Sequence, residues 1–179
     1  MKIRNTQTNY GLVPSLLHWI VAIIIIGLLV FGLYMVRLPI SLEKLKFYGY
    51  HKEFGILVLM LVILRVIWRM TDITPLLPHY MPKSQKVAAR SVHYLFYVFM
   101  FAMPITGWII TSAAGLPVSF FGWFVLPNLV HANGNTQMLF TTIHKWLGWA
   151  LIGIIGLHIA GTLHHYVFHK DNLIRRVWP

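Results

Sequence analysis

The chain has no cysteine and only four acidic residues, Glu43, Glu53, Asp72 and Asp171, in 179 positions. Without cysteine there is no disulfide, no thiolate nucleophile, no iron–sulfur cluster and no thioether-attached haem. Charged residues are 11% of the chain, against about a quarter in a soluble domain. With 58% apolar residues and a mean hydropathy of +0.68, an ordinary soluble domain is excluded. The net charge of +11 does not indicate nucleic acid. The basic residues sit between and beside apolar runs and form no single basic face. No internal repeat or low-complexity tract is present. The length suits one domain, 1–179.

What is present is four apolar spans, at about Leu16–Val36, Tyr50–Trp68, Val92–Ala114 and Thr142–Val167. Each is near the roughly 20 residues that a membrane helix needs. Lys2 and Arg4 before the first span resemble a signal peptide. The run is too long for a signal core and no small-x-small site follows, so a retained span is expected. Backbone satisfaction in lipid requires helices. Short connections predict an all-α, up-down four-helix membrane bundle. Segment 71–89 carries Pro75, Pro78 and Pro82 and is not helical throughout. Segment 115–141 is long and aromatic, with Trp123 among its rings, and is expected at the membrane interface.

Lys and Arg bias sets the orientation. Ten cations fall on the side of the two termini and of the 65–90 region. Five, Arg37, Lys44, Lys46, Lys52 and Lys145, fall on the other. Both termini are predicted to be cytoplasmic, and in a bacterium the sparser side faces the periplasm. The five outer cations would steer a small anion toward that surface. Solvated loop charge is the plainer explanation, and we prefer it.

Ten histidines remain to be explained. In the last span His144 and His158 are fourteen residues apart. That is about 1400° of turn, within about 40° of whole turns, so both leave one helix face. Their axial separation is about 21 Å of a hydrocarbon core of about 30 Å. In an up-down bundle the second and fourth helices run parallel, which puts His51 level with His144. The first and fourth run antiparallel, which brings His18 toward His158. One outer and one inner pair result. Two stacked bis-histidine sites are what two b-type haems between the helices require. His165 lies within about 60° of the same stripe and rivals His158 as the partner of His18. Spacing does not choose between them. His164 points about 160° away from that stripe.

Taken singly, each of these histidines could be a hydrogen-bonding contact between helices. Four at matched depths make that improbable. Gly55, Gly148, Ala22 and Gly161 follow the four by three or four positions and give a low profile beside each ring. Arg65 and Arg69 follow His51 on about its own face, where they could neutralise haem propionates or snorkel to headgroups. His93, in the third span, has no partner left, and packing is favoured over contact with a propionate or a quinone. His79, His131 and His169 are expected in solvated segments. His51, His144 and Glu53 would make a poor zinc site, since structural zinc wants four ligands and commonly thiolate.

Four stretches carry a resemblance. They are Arg4–Trp19 (RNTQTNYG…LLHW), His51–Arg69 (HKEFGILVLMLVILRVIWR), Gly107–Phe124 (GWIITSAAGLPVSFFGWF) and Ile143–Asn172 (IHKWLGW…GLHIAGTLHHYVFHKDN). Together they resemble the bacterial cytochrome b561 family of small four-helix dihaem membrane cytochromes. The resemblance implies two haem b groups, with axial pairs His18–His158 and His51–His144, and so favours His158 over His165. It implies electron transfer in the bacterial inner membrane between a periplasmic donor and the quinone pool. The donor could be superoxide or a redox protein, and the family's best-understood activity, superoxide oxidation, reduces ubiquinone. Two other roles stay open: a haem-bearing membrane anchor for a separate dehydrogenase, and a non-redox histidine-lined metal or proton carrier.

Overall fold

The computed structural model describes residues 2–78, 80–170 and 174–178. His79 and the side chain of His169, expected in solvated segments, lie outside the described residues, as does Asp171. Four helices follow in order: α1 Leu12–Met35, α2 Leu42–Thr71, α3 Lys83–Ala113 and α4 Gly134–His164. All four are long and apolar enough to cross a membrane. At 1.5 Å per residue they run about 36–47 Å, beyond a hydrocarbon core of about 30 Å.

The helices outgrow the apolar spans because their ends are capped in polar sequence. The Ser41 hydroxyl accepts from the Lys44 amide at 3.1 Å and starts α2 well before the apolar span that opens at Tyr50. The Asn133 side chain accepts from the Thr136 amide at 3.0 Å and starts α4 inside the segment expected to be loop. Pro82 precedes α3, where a missing amide costs nothing. At the far end of α1, the Lys44 ammonium donates to the carbonyls of Leu38 at 2.6 Å and Val36 at 3.4 Å. Lys44 is therefore a capping cation.

Segment 115–141 also holds an antiparallel hairpin, β1 Val118–Phe120 and β2 Phe124–Leu126, which the sequence-based expectation did not contain. Its three-residue turn needs left-handed backbone at Phe121 (φ 49°) and Gly122 (φ 74°). Val118 and Phe120 pack on Ile56 of α2. The Leu129 amide donates to Ser112 Oγ at 3.1 Å and the Trp108 indole to the Pro127 carbonyl at 3.0 Å. The hairpin thus folds back over the bundle end and leaves Trp123 83% exposed.

The core is asymmetric. Val21, Val58, Val62 and Met100 form it, with Ile24, Leu28 and Phe96 packed around them. These residues come from α1, α2 and α3. α1 packs on α2, α2 on α3 and α3 on α4, whereas α4 barely approaches α1 or α2. Leu151 is the one residue of α4 that is buried. A face of α4 and the facing sides of α1 and α2 are therefore held apart.

In lipid the cost of a core truncation is lost packing, since hydrocarbon outside is as apolar as the interior. Val62→Ala, at 0% exposure, is expected to lower stability by about 1–2 kcal/mol. Val30→Ala, 65% exposed toward lipid, should change it by less than about 0.5 kcal/mol. Unfolding by detergent titration measures both.

Candidate functional site

The space beside α4 is where the histidines meet. His51 of α2 faces His144 of α4 with ring centroids 6.3 Å apart. His18 of α1 faces His158 of α4 at 6.4 Å. An imidazole nitrogen meets a metal at about 2.0–2.1 Å and lies about 1.1–1.2 Å from its own ring centre, so one ion between two imidazoles separates centroids by about 6.2–6.6 Å. Both pairs fall in that interval. Among the described residues no group of three or more His, Cys, Asp or Glu side chains converges on a metal position. The Glu53 arrangement considered for zinc does not form, and the histidines meet as facing pairs.

The outer pair opens on an apolar pocket of about 80 Å³. Leu28, Met100, Pro104, Val118 and Leu151 are among its walls, so all four helices and the hairpin contribute. Lys52 is the one cation among the described lining residues, and it is half-buried there. From sequence, Lys52 is grouped with the outer surface charges; the fold turns it inward. Pro104 lies within α3 and cannot donate to the residue four back, a break tolerated where neighbours line a cavity.

Each outer ring rests against a glycine of a neighbouring helix. A Cβ on Gly32 of α1 would stand 3.3 Å from His51 Cε1, and one on Gly107 of α3 would stand 3.5 Å from His144 Cε1. Phe31 stacks on the His51 ring at 6.4 Å. The glycines expected from same-helix spacing behave differently: Gly55 lines the pocket, Gly148 faces Met103, and Gly161 meets open space. Gly32 and Gly107 escape sequence reasoning because they act from facing helices, and no local spacing encodes that.

Thr106, 7% exposed, escapes it too. Its Oγ1 lies 2.9 Å from the Met103 carbonyl and 2.9 Å from His144 Nδ1. A hydroxyl has one proton. Donated to Met103, it leaves Oγ1 to accept from His144 Nδ1–H. The Nε2 lone pair of His144 is then free for a metal, and a hydrogen bond of this kind behind the ring is typical of metal-bound histidine. On the other side, His51 Nδ1 is buried without a hydrogen-bond partner.

The inner pair is more polar. Arg65 Nη2 lies 3.5 Å from His18 Nδ1. His158 touches Phe96 at 5.3 Å and His93 at 5.6 Å, both edge-on from α3. His93 Nδ1 is 2.6 Å from the Ala89 carbonyl, which can only accept, so Nδ1 carries the proton. A third histidine thus borders the inner pair, packed edge-on against His158. The Arg69 guanidinium covers the Tyr97 ring at 5.5 Å. His165, 9% exposed, sits in the π-helical turn that continues α4, with its ring against His164 at 6.1 Å. His158 is the ring that faces His18.

The residues present suit a planar, mostly apolar group with two axial positions and an acidic edge. Facing imidazoles, an apolar wall, glycine-backed rings and one wall cation are what haem b asks of a protein.

Comparison with known proteins agrees. The family profile described as prokaryotic cytochrome b561 matches residues 9–179. Cytochrome b561 homolog 2 of Escherichia coli K12 is 35% identical over 179 residues, covering 99% of this chain and 95% of that protein. Cytochrome b561 homolog 1 of the same organism is 31% identical over 131 residues, 72% of this chain and 73% of the other.

Thr106→Val keeps the shape but removes the hydroxyl that meets His144 Nδ1 at 2.9 Å. We expect weaker metal binding at the outer pair, by about 10- to 100-fold. Haem content after detergent dialysis, against the unaltered chain, measures this.

Proposed function

Because the chain belongs to the prokaryotic cytochrome b561 family, whose members carry haem b in membrane electron transfer, we propose that it holds two haem b groups and passes electrons between a periplasmic donor and quinone. The single observation that carries this is the two facing histidine pairs at different depths of α4, at 6.3 and 6.4 Å. His51 and His144 are the proposed outer axial ligands, His18 and His158 the inner ones. Each facing histidine pair would hold one haem, and the group would supply one-electron transfer when bound.

The chain's own residues do the rest. Gly32, Gly107 and Phe31 fix the outer ring planes. Thr106 Oγ1 holds the His144 ring at Nδ1. Lys52 on the outer wall and Arg65 beside His18 are the cations suited to haem carboxylates. The apolar lining excludes water and so sharpens every charge inside. Superoxide is the proposed donor: two superoxide anions each lose one electron to give two dioxygen, and ubiquinone takes those two electrons with two protons to give ubiquinol. The proposed setting is the bacterial inner membrane with both termini in the cytoplasm.

Lys44 caps α1 and Lys52 turns into the pocket, which leaves Arg37, Lys46 and Lys145 as the outer field. Replacing Lys46 and Lys145 with Gln tests steering against plain solvated charge: steering would slow superoxide oxidation by about two- to tenfold at low salt. The two rates should converge at about 0.5 M salt, where the screening length falls below about 5 Å. Equal salt dependence would dismiss steering.

The decisive experiment is a reduced-minus-oxidised spectrum with a haem-to-protein ratio. Two low-spin b haems per chain are expected. His158→Ala should lose one of them and His165→Ala neither; loss of a haem from the second variant would overturn the inner pairing. Ubiquinone reduction by the purified chain with a superoxide generator separates a self-sufficient oxidoreductase from an anchor subunit.

A further inference from the structure

At the end of the bundle where the termini meet, the amino-terminal arm and the carboxyl-terminal turn are sewn together. The Tyr10 amide donates to the Arg176 carbonyl at 3.1 Å. Arg176 returns two bonds, Nε to the Thr8 carbonyl at 2.6 Å and Nη2 to the Leu76 carbonyl at 2.9 Å. The arm is pinned to α2 as well: the Asn5 amide donates to Asp72 Oδ2 at 3.0 Å. A Cβ at Gly11 would strike the carbonyls of Ile3 and Arg4, so the arm lies tight over the start of α1.

This folding gathers Lys2, Arg4, Arg175 and Arg176 around one cavity of about 520 Å³, with Tyr10 and Trp178 also on its wall. No acid is among the described residues that line it. Asp72 is near in the fold and brings one negative charge; its Oδ2 accepts from the Asn5 amide and from the Trp68 indole at 3.3 Å, which holds it at the arm and α2. Arg176 spends its donors on carbonyls, whereas Lys2 and Arg4 extend exposed side chains. Lys2, Arg4 and Arg176 bring like charges to this wall, and an anion placed among them relieves their repulsion.

We propose that this cavity binds the phosphate group of an anionic phospholipid in the leaflet on the side of the termini. Depth and size favour a lipid over a free ion. Trp178 packs edge-on against Trp19 of α1 at 5.4 Å, and the Trp19 indole donates to the Val177 carbonyl at 3.1 Å. Such amphipathic rings sit at headgroup level. A cavity of this volume takes a headgroup, where a single phosphate ion would fill only part of it. Basic pockets beside membrane helices recognise anionic headgroups by this chemistry. The site lies outside both histidine pairs and does not depend on the haem assignment.

The test uses the haem-loaded full chain in a neutral detergent. Its melting temperature is followed with phosphatidylglycerol, phosphatidylcholine or inorganic phosphate at equal phosphorus concentration. Phosphatidylglycerol should raise it by about 3 °C, and the other two by less than about 1 °C. The double variant Lys2→Gln, Arg4→Gln should lose most of that rise with an unchanged haem spectrum, and Lys46→Gln, toward the opposite end, should keep it. Equal rises with both lipids, or a full rise in the double variant, would overturn the site. A full rise with inorganic phosphate alone would overturn the lipid as its source.

Discussion

An imidazole in a hydrocarbon layer must have a partner, and everything specific about this chain follows from how its histidines find theirs. Hydrocarbon offers no hydrogen bonds, so a polar ring there is held by protein or by what protein binds. α4 carries two such rings about 21 Å apart along its axis. A tightly packed four-helix bundle would bury them against apolar neighbours. This bundle instead packs α1, α2 and α3 around one core and leaves α4 seated on α3. The separation lets a ring from α1 and a ring from α2 each face one from α4.

The two pairs are built differently. The outer one is apolar: apolar walls, a hairpin folded over it, glycines behind its rings, and a threonine hydroxyl against one ring nitrogen. The inner one is bordered by a guanidinium and a third histidine. Surroundings of this kind, and not the ligands alone, tune an iron's behaviour in proteins. The two histidine pairs therefore offer unlike settings within one polypeptide.

Much of this is legible in the order of the amino acids. The four spans, their helical state and the levels of His18, His51, His144 and His158 come from hydropathy, length and up-down connectivity, because lipid leaves a chain few options. The features that escape such reasoning share one cause. Gly32, Gly107 and Thr106 act across helices, and sequence spacing reports only neighbours on one helix. Lys44 reads as loop charge because the carbonyls it caps belong to another element. The hairpin at 118–126 is hidden by its length: three residues per strand, closed by a turn that needs two left-handed residues, leave almost no periodicity to read.

Hydrophobic length and helical pitch are local properties of a chain. They suffice to dictate a membrane bundle with histidines on one stripe of its last helix. They do not say whether His158 or His165 meets His18, because both lie near the same stripe and differ mainly in depth. That choice is made by how far α1 slides along α4, a property of the packed bundle. Which surfaces stand apart is settled at the same level. Helix packing depends on all four sequences at once, and on the backbone approach that single residues such as Gly32 and Gly107 permit.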